Sequence, residues 1–137
     1  MYKYSNKNAE IYSKLGIEGT TYEPGFAKAK KMFGNLSGKK VLDFGSGSGR
    51  TAKLLLSFGA KEVIGVDHNQ SMIDQANKQD TKNAKFFLID NKIPFDKNTF
   101  DAAFCAHVMV EVNSFKKIEQ IISEIYRKVI SKLLISY

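Results

Sequence analysis

Three glycines at alternate positions, Gly45, Gly47 and Gly49, follow two apolar residues and an acid. Residues 41–50 read Val-Leu-Asp-Phe-Gly-Ser-Gly-Ser-Gly-Arg. Glycine reaches positive φ at little steric cost and, lacking a Cβ, lets a ligand touch the main chain. The helix-like stretch that follows would aim its unpaired N–H groups at the same place. The pattern is therefore a buried strand running into a loop built for close approach. Its spacing excludes two common nucleotide loops. The dinucleotide fingerprint G-x-G-x-x-G would need its third glycine where Arg50 stands, and the phosphate loop G-x-x-x-x-G-K-[ST] has no counterpart. Asp43, just ahead of the glycines, would repel a pyrophosphate and suits a cationic ligand.

Three further apolar runs carry acids. Glu62-Val63-Ile64-Gly65-Val66-Asp67 ends in a carboxylate about 20 residues beyond the glycines, where a nucleotide-binding fold places its ribose acceptor. Asp67 can accept hydrogen bonds from two vicinal hydroxyls. Ala84-Lys85-Phe86-Phe87-Leu88-Ile89 runs into Asp90-Asn91, and Phe100-Asp101 opens the run that leads to Cys105, Ala106, His107, Val108 and Met109. Side chains at the carboxyl ends of parallel strands converge on one crevice, so acids on successive runs in this order point to a single site.

Asp43-x-Gly45-x-Gly47-x-Gly49 resembles the first motif of the class I S-adenosylmethionine-dependent methyltransferases. The wider match, over residues 20–137, resembles their small-molecule group. The resemblance implies S-adenosylmethionine as cofactor, S-adenosylhomocysteine as product and a small-molecule methyl acceptor. It implies that Asp43 helps orient the methionine end of the cofactor, that the loop of Gly45, Ser46, Gly47 and Gly49 holds the cofactor with its backbone, and that Asp67 holds its ribose. His68 would lie against the adenine and Met72 would cover the other face. Asp90 would take the adenine amino group and the Asn91 N–H a ring nitrogen. Carbonyls near Cys105 and Ala106 would meet the ammonium group. His107, at the mouth of the methyl-transfer site, is the candidate catalytic side chain. Plainer roles stand beside these: a helix cap for Asp67, surface for His68, core for Met72, turn chemistry for Asp90 and Asn91.

The Asn-Pro-Pro-Tyr-like signature of amino-group methylation on DNA or glutamine should follow the fourth strand. Ala106-His107-Val108-Met109 stands there instead, which disfavours that subclass. Two alternatives remain: a methyltransferase-like binding or subunit module without catalysis, and a nucleic-acid methyltransferase.

Composition narrows the field. A chain of 137 residues suits one domain, and 43% hydrophobic with 12% aromatic residues supplies a core. No apolar run reaches the roughly 20 residues of a membrane span, and the first residues lack the apolar stretch of a signal peptide. The single cysteine, Cys105, excludes an internal disulfide and fits a reducing cytoplasm. No Cys/His spacing suggests a metal. The net charge of +7 comes from lysines in all but Arg50 and Arg127. Nucleic-acid recognition favours arginine's bidentate fork, so the charge reads as a solvated surface.

Residues 1–23 form a candidate cap with a helix over 8–15; Tyr12, Thr21 and Tyr22 are its candidate contacts. Residues 24–137 form the core. Its pattern predicts helix 24–33, strand 40–45, helix 49–58, strand 62–67, helix 70–78, strand 84–89, strand 100–106, helix 114–129 and strand 132–136. The last helix carries a stripe of Phe115, Ile118, Ile121, Ile122, Ile125 and Val129. Alternating elements predict an α/β, Rossmann-like, doubly wound parallel sheet with right-handed crossovers. The resemblance implies the order 3-2-1-4-5 with the C-terminal strands 6 and 7 missing. The apolar edge at 132–137 would then seek a partner, and a homodimer through it is expected.

Overall fold

A computed structural model describes residues 5–14, 23–106 and 108–136. Helices α1 (Asn6–Lys14) and α2 (Glu23–Phe33) precede an alternating series. It runs β1 (Lys40–Phe44), α3 (Arg50–Ser57), β2 (Glu62–Asp67), α4 (Gln70–Lys78), β3 (Ala84–Leu88) and β4 (Phe100–Ala106). A short 3-10 turn (Met109–Glu111), α5 (Phe115–Lys128) and β5 (Val129–Ser136) complete it. The strands form one parallel sheet in the order β3-β2-β1-β4-β5. This is the expected doubly wound architecture, with five strands among the described residues.

Strands buried on both faces read as continuous apolar runs, because successive side chains enter opposite cores. Val41, Val63, Ala102 and Phe104 join Phe33, Leu55 and Ile73 in the core beneath α2, α3 and α4. Their neighbours Leu42, Ile64, Ala103 and Cys105 join Ile93, Phe100 and Ile125 on the α5 side. The fully buried Phe33, Phe100 and Phe104 each contribute about 1.5–3 kcal/mol of transfer free energy.

Two details depart from the sequence pattern. Phe115 opens α5 with 93% of its surface exposed. Ile118, Ile121, Ile122 and Ile125 carry the packing face. β5 starts at Val129, directly where α5 stops. Val129 and Ile130 are β-branched and adopt extended backbone without an intervening turn. Asn69 caps α4: its Oδ1 accepts from the Met72 N–H at 3.2 Å. Ser71 donates its hydroxyl to Asn6 Oδ1, which fixes α1 against α4. His107, Leu15, Thr21 and Tyr22 lie outside the described residues, as does the side chain of Tyr12.

Candidate functional site

β1 pairs with β2 on one side and β4 on the other. The chain reverses its winding there, and such switch points open a crevice at the carboxyl ends of the strands. The glycine loop lies in that crevice. Gly45, Gly47 and Gly49 have φ values of +78, +53 and +91°, so the alternate glycines answer a backbone that L side chains resist. The Gly45 and Ser46 N–H groups both donate to the Val66 carbonyl, at 2.8 and 3.0 Å. Gln79 Nε2 donates to the Ser48 carbonyl. A Cβ on Gly45 would lie 2.1 Å from Val108 Cγ2, so the segment after β4 closes directly onto the loop. Gly65 serves the same packing from β2, where a Cβ would meet Phe86 Cδ1 at 2.4 Å and Ser46 Cβ at 2.7 Å. Sequence reasoning passed over Gly65, although a lone glycine inside an apolar strand signals close backbone approach.

Asp43 is 1% exposed, and its Oδ2 has no hydrogen-bond partner among the described residues. Burial, with the Asp67 charge adding to it, pushes its carboxyl up to about 8. The neighbouring Ser46 hydroxyl is also buried and unpartnered. Buried polar atoms are normally satisfied, and leaving them unpaired is costly. Two such atoms, one of them on a carboxyl group, buried beside a glycine cradle fit a ligand that brings hydrogen-bond donors and positive charge. The ammonium end of S-adenosylmethionine has that chemistry. Cys105 is fully buried, and burial, then the Asp43 charge, pushes its thiol up to about 12. It is a neutral, unreactive wall.

Asp67 is held from both sides. Its Oδ2 accepts from the Gly47 N–H and its Oδ1 from the Asn69 N–H, each at 2.9 Å. His68 Nδ1 stands 3.4 Å from the same Oδ1. A carboxylate offers about four lone-pair sites, so Asp67 can brace the glycine loop and still receive two hydroxyls. Asn69 thus bonds both the acid and the helix. Its signal is the Asp-x-Asn spacing at a strand end.

A cleft of about 960 Å³ brings together Phe44, His68, Asp90 and Asn91 beside Ile89 and the flank of α5. Asp90 and Asn91 are exposed within the loop after β3. Met72 is 4% exposed and sits beneath the glycine loop, its Sδ 3.9 Å from where a Gly47 Cβ would be. Neither Met72 nor Asp43, Gly45, Ser46, Gly47, Gly49, Asp67, Cys105 or Ala106 is among the residues lining the cleft. Cys105 and Ala106 end β4, opposite Ile135 and Ser136 of β5, and Cys105 also faces Phe44 of β1. Among the described residues, no group of histidines, cysteines and acids is placed to hold a metal, and no helix is long and apolar enough to cross a membrane.

This geometry agrees with comparisons against known proteins. The profile of the methyltransferase domain family matches residues 41–130. The chain is 26% identical to sterol 24-C-methyltransferase of Kluyveromyces lactis, over 92% of its own length and 36% of the relative's. It is 30% identical to demethylmenaquinone methyltransferase of Tropheryma whipplei, over 82% of its length and 50% of the relative's. A crystal structure of an S-adenosylmethionine-dependent methyltransferase from Aquifex aeolicus superposes with a TM-score of 0.75 at 26% identity. That match covers 97% of this chain and 72% of the other. The chain belongs to the class I S-adenosylmethionine-dependent methyltransferase family. It spans about a quarter to a half of the length of the curated relatives it matches.

Proposed function

We propose that this chain binds S-adenosylmethionine at the carboxyl ends of β1, β2 and β3 and supports methyl transfer to a small-molecule acceptor. The observation that carries this reading is the Asp43 carboxyl, buried without a partner for Oδ2 beside a cradle of left-handed glycines. When bound, the cofactor supplies an activated methyl group for in-line displacement by a nucleophile on the acceptor. The chain's own contribution is orientation and electrostatics. Asp43 and Ser46 accept from the methionine end. Asp67 accepts from the ribose hydroxyls while its bonds to Gly47 and Asn69 keep it still. Asp90 and Asn91 read the adenine edge, with His68 against the ring. Carbonyls near Cys105 and Ala106 complete the ammonium pocket. His107 is the candidate for a proton-accepting role at the acceptor side. Relatives acting on a sterol and on demethylmenaquinone favour an acceptor with a large apolar body.

The test is calorimetric titration with S-adenosylhomocysteine, with Asp67→Ala as control. Micromolar binding that the variant loses supports the site. A folded chain that binds nothing overturns it and leaves a methyltransferase-like subunit without catalysis. A second copy of the chain is the proposed protein partner. β5 is an edge strand among the described residues and Ile130 on it is 62% exposed, which favours edge-to-edge pairing.

A further inference from the structure

Asp90 and Asn91 lie in the irregular stretch between β3 and β4, residues 89–99, which contains Pro94. A loop of this length does not hold two recognition groups still unless something tethers it. On the β3 side the Ile89 N–H donates to the Asp67 carbonyl at 2.8 Å. On the far side the tether comes from α5. Glu124 is 8% exposed, and its Oε1 accepts from the Ile93 N–H at 3.1 Å. One turn later Lys128 Nζ donates to the Phe95 carbonyl and lies 3.8 Å from Glu124 Oε1. Between them the Arg127 carbonyl accepts from the Asn98 N–H at 3.2 Å, and its guanidinium pairs with Glu124 Oε2. Ile93 is 2% exposed in the core that α5 covers. Asp90 and Asn91 are therefore bracketed by one main-chain bond to β2 and one side-chain bond to α5.

We infer that Glu124, with Lys128, is a positioning residue for cofactor selection: it fixes the loop so that Asp90 meets the six-amino group of the purine and the Asn91 N–H meets its ring nitrogen. Glu124 contacts the loop backbone through Ile93, and its effect reaches the ligand only through Asp90 and Asn91. A buried carboxylate is an unusual choice for a helix facing a core. Burial works against its charge. The Ile93 N–H, then Arg127 and Lys128, outweigh that and hold its carboxyl below the usual carboxylate range. An ionised acceptor makes a stronger bond to the Ile93 N–H than a neutral one, which suits a tether. The loop and helix segments meet 31 residues apart in sequence.

This inference rests on the proposed cofactor site, and the experiment separates the two. S-adenosylhomocysteine carries a six-amino purine, and S-inosylhomocysteine a six-oxo purine. Calorimetry on the full chain gives the ratio of the two affinities. The wild type should prefer the amino form by about tenfold or more, the scale of one lost hydrogen bond to a charged group. Glu124→Leu should bring that ratio close to one, while Glu124→Gln, which keeps an acceptor for Ile93, should retain it. A merely structural Glu124 would weaken both ligands together and leave the ratio unchanged in Glu124→Leu, which would overturn the inference. Lys128→Met releases the Phe95 tether and the ion pair to Glu124 while leaving the Glu124–Ile93 bond in place. It should lower the ratio in part, and it decides the matter alone if Glu124→Leu does not fold: an unchanged ratio there counts against the clamp. A wild type that binds neither ligand removes the cofactor site itself, and the clamp with it. A wild type that binds both equally leaves the cofactor site standing and overturns the clamp.

Discussion

Asp43, next to last in β1, feels the charge of Asp67, the last residue of the adjacent β2. Burial, reinforced by the Asp67 charge, pushes the Asp43 carboxyl up to about 8, while Asp67 is tied down by two backbone N–H groups. One acid is thus fixed as an acceptor and the other is poised to change its proton with the ligand. That division follows from the partners each carboxylate finds.

The stability of the free chain should fall as pH rises. A carboxyl whose folded value lies above its unfolded value binds more protons when folded. Its stabilising contribution is complete below the unfolded value near 4 and is lost as pH rises through about 8. Urea unfolding should show stability falling across that window by on the order of a few kcal/mol. In Asp43→Asn the slope should be much flatter.

Ligand binding should show the converse. An ammonium group beside Asp43 favours the ionised form, so affinity for S-adenosylhomocysteine should rise between about pH 6 and 8 with proton release. Titration in buffers of different ionisation enthalpy measures that release directly. Its absence in the wild type, or its persistence in Asp43→Asn, would remove Asp43 from the ammonium pocket.

Asp67→Asn should cost both stability and affinity. Only one amide oxygen can accept, so either the Gly47 or the Asn69 N–H loses its partner, at about 1–3 kcal/mol. Thermal unfolding checks the first effect and calorimetry the second. We expect S-adenosylhomocysteine affinity to fall by about tenfold or more.

Gly65→Ala should destabilise by about 1–3 kcal/mol through overpacking against Phe86 and Ser46. Unlike Gly45, Gly65 has no positive φ in the structure. The cost is therefore contact alone, and Phe86→Leu, which shortens the obstructing ring, should recover part of it. Chemical denaturation of the single and double variants measures the coupling.

Edge pairing along β5 should appear as a concentration-dependent dimer in sedimentation experiments. Ile130→Lys places a charge on the exposed edge and should shift the equilibrium toward monomer. A wild-type chain that stays monomeric at high concentration, with slow amide exchange in 132–136, would show that the edge needs no partner.

The sequence alone determined the alternation of elements, the sheet order through its family resemblance, and the glycine loop. These are legible because strand and helix periods, positive-φ glycines and strand-end acids are local signals. The chemistry of the acids was only half legible. Asp43 and Asp67 look alike in sequence, yet one is buried with an unpartnered oxygen and the other is bonded on both. Phe115 belongs to the apolar stripe by spacing but stands in solvent, because where the helix meets the sheet is set by the strands. The side chain of Met72 lies beneath the glycine loop, a placement that helical spacing does not specify. Glu124 reads as one more surface acid of a charged helix until the loop 31 residues away brings the Ile93 N–H to it. Local pattern fixes backbone conformation; burial and hydrogen-bond partners depend on segments distant in the chain, and only the tertiary structure brings those together.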